Sequence, residues 1–348
     1  MKKLFALILT ILLTLSLLAG CTGVTVVIGN CTCPDEGNAD AGIKTGLSVS
    51  VSVSDSTSAT ATAEGAVKYD ITVAAVTVDE KGKILSCVID SIPATVKFDA
   101  TGKITSDLAM AIPTKNEMGA AYGMVAYGNA VAEWDQQVAA VAKYAVGKTV
   151  EELKKGDIDM TTGKAKDGTD LSSTATIYLG GYVNAIEAAV KNAKVLGAEA
   201  GDELVLATLN TVKSSTDATA EKAGNIQLDA DIVALTRKDG KITSCYIDSV
   251  QAKIAVDATG KITTDLTAAI KSKNQLGADY GMVAWGNASA EWDAQAAAFA
   301  RYVTGKTAAE VAGISITEST KPADGTDLAA SVTISIGGFQ ALIAKAMQ

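Results

Sequence analysis

The chain has no histidine among its 348 residues, few aromatic residues (5%) and only four prolines. Without an imidazole, the sequence excludes Ser-His-Asp and Cys-His nucleophiles, imidazole general bases and histidine-ligated metal sites. Positive charge is also scarce, because 30 lysine and arginine residues stand against 39 acidic residues and form no basic cluster. This charge balance is unfavourable for nucleic-acid binding. We therefore expect no metal site and no nucleic-acid partner, and favour a binding or cofactor-carrying protein over a hydrolase or nuclease.

The amino-terminal residues are typical of an export signal. Lys2 and Lys3 precede an apolar run that ends at Leu18, which is short for a stable membrane span. The run leads into the string LAGC, which resembles a bacterial lipobox, where signal peptidase cuts before a lipidated cysteine. We therefore predict a lipoprotein signal peptide over 1–20 and a lipid on Cys21 that anchors the protein at the extracellular face of the cytoplasmic membrane. An ordinary signal peptide with a nearby cysteine is the alternative.

Residues 21–45 are polar, contain glycine and lack periodicity, which predicts a flexible tether from the lipidated cysteine. A linker of this length spans about 25–30 Å root-mean-square. Cys31 and Cys33 lie in it with one residue between them, which is the wrong spacing for a zinc site, and we assign them no function. Cys87 and Cys245 occupy equivalent positions of two predicted strands, where a thiol is expected to fill the core rather than form a disulfide.

The remainder of the chain is duplicated. Residues 115–137 (KNEMGAAYGMVAYGNAVAEWDQQ) match residues 273–295 (KNQLGADYGMVAWGNASAEWDAQ) at a constant offset of 158, with 17 of 23 positions identical. Upstream, ILSCVIDS matches ITSCYIDS, and FDATGKIT matches VDATGKIT. A period this long exceeds any solenoid unit and indicates duplication of a whole domain. We place two tandem homologous domains at 46–196 and 197–348.

Each copy has the same predicted order of elements, which indicates an α+β fold. Alternating segments such as YDITVAAVTV, split by glycine-containing turns, predict an antiparallel β-meander. An Ala-rich helix that begins at EWD and stops at a glycine follows, then a short helix at 149–155. After a polar loop, the apolar runs ATIYLGG and SVTISIGG are typical of a further strand, and a last helix is expected over 182–193 and 339–346. Strands grouped before helices favour this class over a doubly wound parallel sheet.

The first candidate site is the stretch GAAYGM at 119–124, which Asn129, Glu133 and Trp134 follow and which has the counterpart GADYGM in the second copy. Glycines beside aromatic residues allow a backbone to approach a planar ligand while a ring stacks on it. The spacing is not that of a dinucleotide-binding fingerprint. A tight turn in which Tyr122 and Trp134 pack in the core is the alternative interpretation.

The second candidate site is a polar loop that ends in a threonine in each copy. The strings DLSSTAT (170–176) and DLAASVT (327–333) are similar to the pattern of proteins that carry a flavin covalently on threonine. That pattern is Asp, two variable residues, Ser or Thr, usually Gly, a small residue and the acceptor Thr. The second copy departs from it, because Ala330 replaces the hydroxyl residue and Ser331 the glycine. In the first copy, Thr174 stands in the place of the glycine. Thr174 and Ser331, which both carry a hydroxyl at that place, are therefore rival acceptors.

Together with the lipobox, the duplication and the YGM…EWDxQ…GKT pattern, this motif resembles the flavinylated extracellular electron-transfer lipoproteins of Gram-positive bacteria. The resemblance implies that a flavin transferase attaches FMN through a phosphoester to Thr176 and Thr333, and that Asp170 and Asp327 orient the hydroxyl or the transferase's metal. It implies a membrane quinone-linked NADH dehydrogenase as electron donor and external acceptors such as ferric iron or free flavins. It leaves open whether the chain has ferric or flavin reductase activity of its own. The candidate flavin contacts are Tyr122, Tyr280, Asn129, Asn287, Trp134 and Trp292.

A cofactor-free tandem surface-binding or adhesion lipoprotein is the main alternative. It would account equally well for the lipobox, the duplication and the strands rich in Ser, Thr and Ala. It accounts less well for the presence of DLxxxxT at the same place in both copies. A substrate-binding lipoprotein of a transporter is disfavoured, because two unlike α/β lobes are not expected from a duplicated meander.

Overall fold

The computed structural model describes residues 42–348. They lie in one compact unit, Asp40–Gln348. The predictions of a signal peptide over 1–20, a lipid on Cys21 and an unassigned pair at Cys31 and Cys33 fall outside the described residues, as does most of the predicted tether.

The tether prediction is wrong at its carboxyl end, because the first strand begins before residue 45. Thr45 is fully buried there, and its Oγ1 lies 2.7 Å from Ser244 Oγ in a side-chain hydrogen bond. No helix among the described residues is both long and apolar enough to cross a membrane.

The first half of the described chain contains a set of long strands followed by helices. Its elements are β1 Lys44–Ser52, β2 Gly65–Val78, β3 Ile84–Phe98, α1 Lys115–Met118, α2 Met124–Gly128, α3 Trp134–Ala145, α4 Val150–Lys155, β4 Ile158–Asp159, β5 Lys164–Ala165, α5 Asp170–Thr174, α6 Gly180–Lys191 and β6 Lys194–Val195. A 3-10 helix, Gly119–Tyr122, lies between α1 and α2.

The second half repeats this order with fewer short elements. Its elements are β7 Glu203–Thr211, β8 Gly224–Lys238, β9 Lys241–Val256, α7 Lys273–Leu276, α8 Trp292–Val303, α9 Ala308–Ala312 and α10 Gly337–Ala346. Two 3-10 helices, Gly277–Tyr280 and Leu328–Ala330, complete it.

Both large sheets are antiparallel meanders. The first has the order β3-β2-β1-β6 and the second β7-β8-β9, so that each long strand pairs with its neighbour in the sequence. Strands β4 and β5 form a separate two-stranded ribbon. The α+β class and the predicted meander are therefore confirmed.

The central strand β2 packs against a different layer on each face. Ile71 and Val73 belong to a core that also contains Ile232 of β8. Ala74 and Val76 belong to a second core with helices α3 and α6. Because successive side chains of a strand point to opposite faces, residues 73–78 of β2 are buried on both sides, and 73–76 form a continuous apolar run.

Strand β8 has the same two-sided burial. Ile232 and Ala234 contribute to the core shared with the first sheet, whereas Val233 and Leu235 pack with α8 and α10. The Tyr69 hydroxyl donates a hydrogen bond of 2.8 Å to the Ile226 carbonyl and so links the two sheets. The order of layers is helices, sheet, sheet, helices, and the two copies share the central core.

The Ala-rich helices are confirmed as α3 and α8. Gly147 and Gly305 follow them with φ values of 82° and 84°, a conformation that glycine adopts without strain and that stops a helix. The last helices begin two residues before the predicted starts, at Gly180 and Gly337.

The prediction of a further strand over ATIYLGG and SVTISIGG is wrong. Residues 175–179 and 332–336 have no strand structure and pair with no neighbouring strand among the described residues. Two amide groups of each segment bond instead to a glutamine side chain, as described below. Apolar alternation alone therefore did not distinguish a strand from an extended segment without a partner.

Candidate functional site

The two predicted acceptor threonines occupy equivalent places. Thr176 follows helix α5 and precedes α6, and Thr333 follows the 3-10 helix Leu328–Ala330 and precedes α10. Both side chains are exposed. The part of the polar loop that contains Asp170 is a turn of helix, not an open loop, with the Thr169 hydroxyl capping its first turn.

A buried glutamine holds the acceptor segment of the first copy. Gln137 is fully buried on α3, and its Oε1 accepts hydrogen bonds from the backbone amides of Thr176 (2.8 Å) and Ile177 (3.2 Å). The Thr176 hydroxyl donates to the same oxygen over 3.3 Å. Gln137 Nε2 donates to the Ala132 carbonyl over 2.8 Å, which fixes the orientation of the amide.

The second copy reproduces this arrangement. Gln295 Oε1 accepts from the amides of Thr333 (2.8 Å) and Ile334 (3.2 Å) and from the Thr333 hydroxyl (3.1 Å). Its Nε2 donates to the Ala290 carbonyl over 2.7 Å. These glutamines were not among the predicted site residues, although the shared EWDxQ pattern contains them.

A glutamate one helical turn earlier holds the YGM stretch against the same helix. The Glu133 carboxylate accepts hydrogen bonds from the amides of Met124 (2.8 Å) and Val125 (3.0 Å). Glu291 does the same for Met282 (2.9 Å) and the residue after it (3.0 Å). Each EWDxQ helix therefore positions both candidate stretches, with its glutamate on one and its glutamine on the other.

The rival acceptors make local hydrogen bonds only. The Thr174 hydroxyl donates to the carbonyls of Asp170 (3.3 Å) and Leu171 (3.2 Å) within its own helical turn. The Ser331 hydroxyl donates to the Leu328 carbonyl over 3.3 Å. Neither contacts the buried glutamine of its copy, which distinguishes both from the predicted acceptors.

The candidate tryptophans are core residues. Trp134 and Trp292 are 3% and 5% exposed, and their rings meet Tyr182 and Phe339 edge to face, with centroids 5.9 Å apart in each pair. Trp134 Nε1 also donates to the Tyr182 hydroxyl over 2.9 Å. Their contact with a flavin remains a prediction.

A lysine joins the candidate tyrosine and tryptophan of each copy. Lys115 Nζ lies 5.2 Å from the Tyr122 ring centroid and 5.1 Å from that of Trp134. In the second copy, the Lys273 distances are 5.2 Å to Tyr280 and 4.8 Å to Trp292. All four distances fall within the range of cation–π attraction. The sequence analysis did not assign these lysines.

A cavity of about 410 Å³ lies beside the second acceptor. Its lining brings the predicted Tyr280 and Trp292 together with the two residues that follow Thr333. The lining residues are Asp231, Lys273, Tyr280, Met282, Trp292, Ile334, Ser335, Gly338 and Phe339. Burial raises the pKa of the Asp231 carboxyl, and the Ser249 hydroxyl and the Lys273 ammonium both oppose that rise.

The first copy carries larger side chains at this place. Tyr178 and Tyr182 stand where the second copy has Ser335 and Phe339. The Tyr178 ring packs over Gly163, where a Cβ atom would lie 1.9 Å from it. The two acceptor sites therefore share their anchoring glutamine but differ in their surroundings.

The remaining predicted site residues are on the surface. Asn129 and Asn287 are exposed and adopt positive φ values of 51° and 52°, which asparagine tolerates better than most residues. Asp170 and Asp327 are exposed near the start of the helical turn that precedes each acceptor.

Two exposed aromatic residues at equivalent positions were missed. Tyr127 is 92% exposed and Trp285 is 82% exposed. Their rings cover Gly123 and Gly281, where a Cβ would lie 2.6 Å and 2.1 Å from ring atoms. The sequence feature that could have identified them is the second aromatic residue of YGMVAYG and YGMVAWG, which lies within the duplicated segment.

Cys87 and Cys245 are free thiols on β3 and β9. Burial raises the pKa of each to about 12, so that both thiols are protonated at neutral pH.

Comparison with known proteins gives no family for this chain. No family model, no curated protein and no solved structure matches it.

Proposed function

We propose that the chain is a membrane-anchored extracellular electron carrier with two tandem FMN-binding domains, 46–196 and 197–348, each with one covalent FMN. The flavins are esterified to Thr176 and Thr333. The observation that supports this proposal most directly is the same in both copies: an exposed threonine hydroxyl stands on a segment that a buried glutamine side chain holds in place.

The hydrogen bonds at the acceptors are compatible with esterification. Modifying the hydroxyl removes only its own bond to the glutamine, which is 3.3 Å long at Thr176 and 3.1 Å at Thr333. The backbone amides still donate to Oε1, so that no buried acceptor is left unsatisfied. A net loss of at most about 1 kcal/mol per site is expected from one such bond.

The surroundings of Thr333 suit a planar, anionic cofactor. FMN, when bound, supplies one- or two-electron transfer, with a potential that nearby charge and stacking adjust. In the adjoining cavity, Lys273 provides a positive charge and Tyr280 an aromatic ring. The exposed Tyr127 and Trp285 offer flat apolar surfaces near the entry of each EWDxQ helix.

The proposed partners follow from the same assignment. A flavin transferase modifies the chain, with exposed Asp170 and Asp327 orienting the acceptor hydroxyl or the transferase's metal. A membrane quinone-linked NADH dehydrogenase donates electrons, and ferric iron or free flavins accept them outside the membrane. The lipid on Cys21 keeps the carrier near its donor.

A cofactor-free surface-binding lipoprotein is the second candidate. The same pair of exposed aromatics, Tyr127 and Trp285, supports it, because large exposed rings on a rigid turn are also typical of recognition surfaces.

Intact mass spectrometry separates the two candidates. The full chain produced together with a flavin transferase is expected to gain about 438 Da per site, the mass of FMN less water. Thr176→Ala and Thr333→Ala should each remove one adduct, and the double variant both. Thr174→Ala and Ser331→Ala are the matched controls and should keep both adducts. An unmodified parent chain would favour the surface-binding protein, and adducts lost only in the control variants would reassign the acceptors.

A further inference from the structure

A cleft of about 860 Å³ lies between strand β9, helix α8 and the connection that links the two copies. Residues 191–196, from the last residue of α6 through β6, form one wall, and the connection means this segment at the end of the first copy. Cys245 and Ile247 line it from β9, and Ala297 and Ala300 line it from α8. Small-molecule sites are typically about 300–1,000 Å³ in volume and mainly apolar, with a few polar groups that orient the ligand.

Three cations border this apolar surface: Lys191, Lys194 and Arg301. Within the described part of the chain, none of them forms an ion pair with a carboxylate. Lys194 Nζ lies 5.1 Å from the Tyr246 ring centroid, and Asp293 is the only acid among the described lining residues. Such a local excess of positive charge on a chain of net charge −9 favours an anionic group in the cleft.

The duplication provides an internal comparison. The corresponding groove of the first copy is smaller, about 300 Å³, and has one cation, Lys143, at the position of Arg301. Ala139 corresponds to Ala297 and lines that groove. The extra wall and two of the three cations of the larger cleft come from the connection. The site therefore arises from joining two copies and is not a property of each copy alone.

We propose that this cleft binds a small amphiphilic anion, with an apolar body of about two fused rings against the alanine face of α8 and one carboxylate or sulfonate beside Arg301. Lys194 and Lys191 lie on the connection side of the same cleft and bind the anionic end together with Arg301. A bare inorganic anion is not the preferred ligand, because it would leave the apolar surface of the cleft exposed to water and would itself lose hydration. The proposal does not depend on flavinylation.

Isothermal titration calorimetry with naphthoate as the probe tests whether the cleft binds such an anion. The sample is the full, unflavinylated chain in lipid nanodiscs, and protein-free nanodiscs are the blank. Ala297→Phe fills the cleft and should weaken binding at least tenfold, whereas the matched Ala139→Phe should leave it within twofold. Arg301→Gln should weaken binding about two- to fivefold, the effect of a solvent-exposed charge pair. The matched Lys143→Gln should have no effect. Neutral naphthamide should bind the parent chain more weakly than naphthoate.

Circular dichroism checks that each variant is folded, and Arg301→Gln decides the question if Ala297→Phe does not fold. The proposal is overturned if the parent chain shows no saturable heat with naphthoate at millimolar concentration. It is also overturned if the variants of the two copies have equal effects, or if naphthamide binds as well as naphthoate. None of these results bears on the mass measurement of flavin adducts at Thr176 and Thr333. The anion site and the proposed flavinylation can therefore fail independently.

Discussion

Replacing Gln295 by leucine removes the polar group that holds the second acceptor segment while keeping a side chain of similar size. Gln295 is 1% exposed, so that water does not substitute for it without rearrangement. Its amide oxygen accepts from Thr333 and Ile334, and its amide nitrogen donates to Ala290. Leucine can make none of these three backbone hydrogen bonds.

The expected cost follows from those contacts. Each lost hydrogen bond contributes about 1 kcal/mol net, and a buried group left without a partner costs about 1–3 kcal/mol. The Thr333 hydroxyl is exposed and can bond to water, so its contribution is small. We therefore expect Gln295→Leu to lower the free energy of unfolding by about 3 kcal/mol.

Urea unfolding followed by far-UV circular dichroism measures this loss. Gln136→Ala is a suitable control, because the second copy has Ala294 at that position and Gln136 accepts only one long bond, 3.4 Å from the Glu133 amide. The control should change the free energy of unfolding by less than about 0.5 kcal/mol. In the flavinylation experiment, Gln295→Leu should also reduce the adduct on Thr333 and spare that on Thr176. A variant as stable as the control would refute the argument that this glutamine anchors the segment.

Three further outcomes are expected. In the flavinylated chain, Trp285→Ala should increase flavin fluorescence, because an aromatic ring stacked on isoalloxazine quenches it; Tyr127→Ala tests the first copy in the same way. Burial raises the pKa of Asp248 from its ordinary value of 3.8 to about 6. The folded state then retains a proton that the unfolded state has lost. The contribution of Asp248 to the free energy of unfolding therefore falls by about 2–3 kcal/mol as the pH rises from about 4 to 6, and Asp248→Asn should abolish this pH dependence. Cys245 is 2% exposed although it lines the cleft beside α8, and burial raises its pKa to about 12, so it should react with a thiol reagent much more slowly in the folded chain than after unfolding.

Each of these has a result that contradicts it. Unchanged fluorescence in both aromatic variants, with both adducts present, would place the flavins away from the exposed rings. Parallel pH profiles for the parent chain and Asp248→Asn would show that this carboxyl is not the group responsible. Rapid modification of Cys245 in the folded chain, with Cys245→Ser as the control, would mean that the strand opens without global unfolding.

The shared core of the two copies also explains a pattern that sequence alone left ambiguous. Residues 73–76 of β2 are apolar at every position because one face meets helices and the other meets the second sheet. A hydrophobic run in a strand indicates that both faces of the strand are buried, but it does not identify the element that covers each face. That Ile71 and Ile232 share one core is therefore a property of the tertiary structure.

Sequence alone was sufficient for features that depend on residues close together in the chain. The duplication, the meander, the Ala-rich helices with Gly147 and Gly305 after them, and the equivalent threonines were all predictable, because turns, caps and periodicity are local. Only the tertiary structure decided that 175–179 is not a strand, that Gln137 bonds to residues 39 and 40 positions away, and that the connection between the copies encloses a cleft. Those features depend on hydrogen bonds and contacts between distant segments, and residue spacing along the chain carries no information on which distant groups will meet.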